Sequence, residues 1–102
     1  MTEPLPSNNQ LDPQNPQGID TCDTVYHRPS QETWTVAYVQ GDRLAWCGWP
    51  PGEAQVSDCE LRDKASAEER DNLLRNMANI HVEPGGYDRR KSYARHRLGM
   101  TP

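Results

Sequence analysis

The sequence predicts a mainly β fold with α: a small half-open barrel of about four or five short strands, one amphipathic helix, and a short basic C-terminal helix. Three observations carry this. Short runs rich in β-branched and aromatic residues lie between residues 24 and 61, each bounded by a turn containing Pro or Gly. A Ser-x-x-Glu capping signal at Ser66 opens a run with apolar residues at helical spacing. The chain has 102 residues, only 33% of them hydrophobic and none of them Phe, which fits one small domain with a thin core and not two domains.

The elements follow in order. Residues 1–20 hold four of the nine prolines, two Leu, one Ile and no aromatic residue, too little apolar surface to offset the entropy of ordering, so they read as a disordered leader. Residues 21–80 read as the folded body. Thr24 to Arg28 is a first strand, and Pro29-Ser30-Gln31-Glu32 a turn whose proline presets the backbone. Trp34 to Val39 is the clearest strand; strict alternation puts Trp34, Val36 and Tyr38 on one face. Gln40-Gly41-Asp42-Arg43 is a tight hairpin connection in which Gly41 is free to take a positive φ. Leu44 to Trp49 returns, Pro50-Pro51-Gly52-Glu53 is a loop, and Ala54 to Leu61 is a further strand with Val56, Cys59 and Leu61 inward. The helix over 66–80 has a stripe of Leu73, Leu74, Met77 and Ile80 that suits packing on the barrel. Residues 81–102 form a basic segment, in which Asp88 caps a short helix that runs to Leu98 and stops at Gly99.

Composition also excludes. No stretch nears the roughly 20 apolar residues of a membrane span, and the N-terminus lacks the basic start and apolar run of a secretory signal. The expected compartment is therefore the cytoplasm. Three cysteines cannot close a disulfide framework among themselves, and a reducing compartment leaves them as thiols or metal ligands.

Short strands joined by tight turns and followed by a helix match the SH3-like class best. The residues His27-x-Pro29-Ser30-x-Glu32-x-Trp34-x-Val36, Gly41-Asp42-x-Leu44-x-Trp46-Cys47-x-Trp49-Pro50 and Asp58-Cys59-x-Leu61 resemble small SH3-like barrel proteins of bacteria and their phages. The resemblance covers about a third of the chain and carries no enzyme motif. It implies a binding or accessory role of mobile-element origin, in the host cytoplasm where the protein is phage-encoded.

Four residues form a candidate metal set. Cys22, His27, Cys47 and Cys59 make a Cys3His group suited to a structural zinc, which would staple a small core. The set lacks a Cys-x-x-Cys knuckle, and buried thiols that pack as small hydrophobes are the alternative. Nothing in the sequence orients His27 as a base for a Cys nucleophile, so no catalytic residue and no enzyme activity are expected.

Three Trp within sixteen residues suggest a surface for an extended or proline-rich peptide, because SH3-like folds display aromatic rings for this purpose. Trp34, Tyr38 and Trp49, with the acidic Asp42, Glu53 and Asp58, are the candidate contacts to a partner protein. Charge is uneven. Residues 1–80 carry six Lys/Arg against thirteen Asp/Glu, and residues 81–102 carry five against two. Arg89, Arg90, Lys91, Arg95 and Arg97, interleaved with Tyr87 and Tyr93, form the one plausible nucleic-acid footprint; a solvated helix that balances the acidic body is the plainer reading.

The expected function is that of a small non-enzymatic binding protein, a phage or mobile-element accessory acting on a host factor, for example as an inhibitor of a defence system. A nucleic-acid module using the basic C-terminal segment, and a structural part of a virion assembly, are the alternatives.

Overall fold

The structure is a computed structural model that describes residues 13–47 and 52–100. Trp49, Pro50 and Pro51 lie outside the described residues, as does the first part of the expected leader. Five strands follow one another: β1 (Thr24–His27), β2 (Glu32–Gln40), β3 (Arg43–Trp46), β4 (Gly52–Gln55) and β5 (Cys59–Asp63). Two helices complete the chain, α1 (Ala67–Ala78) and α2 (Arg89–Arg97).

All strand pairings are antiparallel, in the order β4-β3-β2-β1-β5. The β2–β3 hairpin closes as its sequence predicts. Gln40 pairs with Arg43, and Gly41 takes φ +63° at the first turn position, a conformation that favours glycine. The last strand departs from the expectation. Ala54 to Leu61 is not one strand; a 3-10 turn, Val56–Asp58, splits it into β4 and the start of β5. That turn shapes the whole sheet. β4 and β5 are its two edges, and a flat five-stranded sheet would hold them about 19 Å apart. The link from Gln55 to Cys59 reaches at most about 14 Å. The sheet therefore curls, and it stays open where β4 and β5 face each other without pairing.

Curling gives the sheet two buried faces. The inner one holds Ile19, Val25, Val36, Leu44, Ala54, Val56 and Cys59. Burying each of the larger aliphatic side chains here stabilises the fold by about 1.5–3 kcal/mol. The outer one joins Ala37, Tyr38 and Ala45 to Leu74, Met77 and Ala78 of α1 and Ala94 of α2. The stripe predicted on α1 thus meets the sheet as expected, with α2 packed beside it. α1 begins with the predicted capping box. The Ser66 hydroxyl accepts from the Glu69 N–H, and the Glu69 carboxylate accepts from the Ser66 N–H. α2 begins at Asp88, whose side chain accepts from the Arg90 and Lys91 N–H groups; Gly99 follows it at φ +75°.

Two expectations need correction. Strict alternation along β2 fails because the register against β3 shifts between Val36 and Tyr38. Ala37 is the extra residue of a β-bulge, so the following side chains change sides. Trp34 and Val36 belong to the inner core and Tyr38 to the outer one. The expected leader also ends earlier than its composition suggested. Ile19 is 2% exposed within the inner core. The Asn15 side chain brackets it, accepting from the Ile19 N–H and donating to its carbonyl. Gln17 bonds to β5 at the sheet edge: it donates to the Cys59 carbonyl and accepts from the Leu61 N–H, at 2.9 and 2.8 Å.

Candidate functional site

The four candidate metal ligands fall into two pairs: His27 stands opposite Cys59 in the β1–β5 register, and Cys22 lies near enough to Cys47 to raise its pKa. Cys59 lies fully buried in the inner core, its thiol 3.6 Å from the Gln55 carbonyl. His27 hydrogen-bonds through Nδ1 to the Ser30 hydroxyl, inside its own turn, at 2.7 Å. Cys22 and Cys47 flank β2, their N–H groups donating to the Val36 and Thr35 carbonyls respectively. Among the described residues no group of three His, Cys, Asp or Glu side chains is close enough to hold a metal ion. Burial pushes all three thiols above the usual cysteine range, and the neighbouring carboxylate adds to this at Cys22 (Glu69) and Cys59 (Asp58).

The candidate partner contacts do not share one surface. Tyr38 is 5% exposed and stacks on Tyr93 of α2, with ring centroids 5.1 Å apart. Its hydroxyl faces the Glu53 carboxylate at 3.5 Å, and burial followed by that negative charge pushes its pKa up. Glu53 is engaged internally as well, pairing with Arg43 at 3.5 Å and with Arg89 at 3.3 Å. Asp42 is exposed in the hairpin, and Asp58 half-buried in the 3-10 turn.

Trp34 is different. It lies between two other rings on the inner face of the sheet. His27 stacks on it at 4.2 Å and Trp46 lies against it at 3.9 Å. All three are half-buried, at the border of the inner core. The row is held from below and from the side. Trp34 Nε1 donates to Glu32 at 3.1 Å, and Gly52 on β4 lies against the Trp46 indole so closely that any side chain there would run into the ring. The requirement for Gly52 at this place comes from close approach, since its φ is ordinary.

The basic helix divides by function. Arg97 pairs with Asp20 at 2.9 Å, Arg89 with Glu53, and Arg90 with Asp88 at 2.9 Å. Burial alone would raise the Asp20 pKa, but the Arg97 hydrogen bond, the Thr21 N–H and the charges of Arg97 and Arg70 hold it below the usual range. The Arg90 hydrogen bond does the same for Asp88. Three of the five expected nucleic-acid contacts are thus tied to carboxylates of this chain. Lys91 and Arg95 are not: among the described residues their side chains have no partner.

A polar centre that the sequence reading missed sits at the other end of α2. Asp23 is 0% exposed. Its two oxygens accept from Lys64 (2.7 Å), Arg70 (3.0 Å), the Ala65 N–H (2.8 Å) and the Asp20 N–H (2.9 Å). Arg70 also donates to the Thr21 carbonyl and lies 3.4 Å from Asp20. One carboxylate thereby joins the segment before β1, the link after β5 and the first turns of α1. The signal available in sequence was weak: an acidic pair, Asp20 and Asp23, around a short polar turn.

Comparison of the chain with protein-family models, with curated proteins and with solved structures returns no match. No helix among the described residues is long and apolar enough to cross a membrane.

Proposed function

We propose that the protein is a small non-enzymatic binding module, an SH3-like half-open barrel that recognises an extended, proline-bearing segment of a partner protein. The observation that carries this is the row His27–Trp34–Trp46: three half-buried rings on the inner side of a curled sheet, His27 stacked on Trp34 and Trp46 tilted against it at 30°. A partly exposed aromatic row suits a polyproline-type ligand, which packs on aromatic side chains and loses little entropy on binding. The open seam between β4 and β5, the bulge that redirects β2 and the 3-10 turn between the sheet edges support the SH3-like reading. The resemblance to barrel proteins of bacteria and their phages makes a host or assembly protein in the cytoplasm the natural partner.

Intrinsic tryptophan fluorescence, titrated with a panel of proline-rich peptides, tests this. A saturable shift is expected, weakened about tenfold or more by Trp34→Ala, because a central aromatic contact contributes ~2 kcal/mol or more to binding. A panel without any saturable response, or binding that Trp34→Ala leaves unchanged, would sink the reading.

A further inference from the structure

Every Lys and Arg side chain in the protein has a hydrogen-bond or ion-pair partner among the described residues, with two exceptions. The exceptions, Lys91 and Arg95, are one helical turn apart on α2 and line the same groove. That groove has a volume of about 470 Å³ and runs between α2 and the segment 82–88. Two unpaired cations at i and i+4 repel each other, so the fold gains nothing from this arrangement. The carboxylates nearby do not relieve it. Asp88 is held by Arg90, and Glu83 at the rim bonds to His81.

The groove also has an aromatic wall. Tyr87 is 74% exposed, whereas the other Trp and Tyr side chains among the described residues are buried or half-buried. It stands between this groove and two neighbouring hollows of about 330 and 580 Å³, so its ring is open to solvent on more than one side. Ser92 adds a hydroxyl on the exposed side of the helix, between the two cations in sequence.

We propose that this groove is a second binding site, and that its ligand is single-stranded nucleic acid. A base stacks on Tyr87, and successive phosphates meet Lys91 and Arg95, which the helix separates by ~6 Å along its axis. An exposed ring beside paired cations is the arrangement by which proteins hold unpaired bases together with their backbone. Duplex binding is disfavoured, because it needs many phosphate contacts and the rest of the chain is acidic. An acidic peptide would satisfy the cations but would leave the ring without a stacking partner.

Fluorescence anisotropy with a labelled short oligothymidylate, on the full chain at low salt, tests the proposal. Binding is expected, with a log–log salt slope of about −1.4, the value for two phosphate contacts on a single strand. Lys91→Glu should weaken binding about tenfold or more. It places an acid in the first turn of α2, one turn before Arg95, which favours the helix, so lost binding cannot be put down to lost folding. Tyr87→Ala should weaken binding about tenfold and Tyr87→Phe should not, since stacking needs the ring alone. Trp34→Ala should leave it unchanged, which separates this site from the aromatic row. The proposal is overturned by absence of binding at low salt, by wild-type binding in Lys91→Glu, or by a polyglutamate peptide that displaces the oligonucleotide at equal charge concentration.

Discussion

Two charged regions of the molecule are built on opposite terms. Around Asp23 the charges are matched: a fully buried carboxylate takes four hydrogen bonds, two from cations and two from backbone N–H groups, and the neighbouring Thr21 hydroxyl is the one buried side-chain polar atom among the described residues without a partner. Along α2 the outward cations Lys91 and Arg95 are left without a carboxylate. The contrast teaches how to sort the charges of an acidic chain. Where a cation has found an acid of its own chain its charge is compensated within the fold; where it has not, its field is directed outward. Arg89, Arg90 and Arg97 belong to the first kind although they share a nine-residue helix with the second.

The largest effect expected is at Asp23. Asp23→Ala removes the buried anion that Arg70 and Lys64 share and leaves Arg70 only Asp20, at 3.4 Å; breaking a buried pair of this kind costs about 3–5 kcal/mol. Urea unfolding of the variant should show a midpoint far below that of the wild type; a change within experimental error would remove Asp23 from its central place. Arg97→Ala should cost less, about 1 kcal/mol, because both partners are roughly one-third exposed to water. Its signature is local: amide exchange should accelerate in α2 and leave β1 and β2 protected.

Acid should loosen α2 at both ends, where Asp88 caps it and Asp20 holds Arg97. Asp20 and Asp88 titrate below the unfolded value in the folded protein, so their contribution is present above pH ~4 and is lost as pH falls through their lowered values. Circular dichroism between pH 5 and pH 2, at roughly unit steps, should show helix loss beginning below about pH 4. The smallest effect is a gain. Lys91→Glu creates a Glu-to-Arg pair at i, i+4 and should raise stability by about 0.5 kcal/mol. A loss of stability there would mean that Lys91 supports the fold after all.

Elements whose causes are local were legible in the sequence. The Ser66–Glu69 box, the Asp88 cap, the Gly99 stop and the Gly41 turn each rest on residues within four positions of one another. What escaped depends on distant partners. Composition could not show that Ile19 fills the inner core, nor that Asp20 meets Arg97, 77 positions away. The bulge at Ala37 escaped for a related reason: alternation along β2 alone does not contain the register of β3. The same limit split the candidate sites. Trp34 and Tyr38 read as neighbours and lie on opposite faces, and the five basic residues read as one footprint and divide into two that tie α2 to other segments, one that pairs with its own helix cap, and two without a partner among the described residues.

Gln17 carries a consequence for life in a crowded cell. An open sheet has two edges, and an unpaired edge invites a strand from another molecule. At β5 the Gln17 amide offers the edge one acceptor and one donor, as an incoming backbone would, and so caps Leu61 and Cys59 with a single side chain. A neighbour that tried to extend the sheet there would first have to displace it. Gln17 thus acts as a guard against polymerisation, and Gln17→Ala would be expected to shift the protein toward self-association at concentrations where the native chain stays apart.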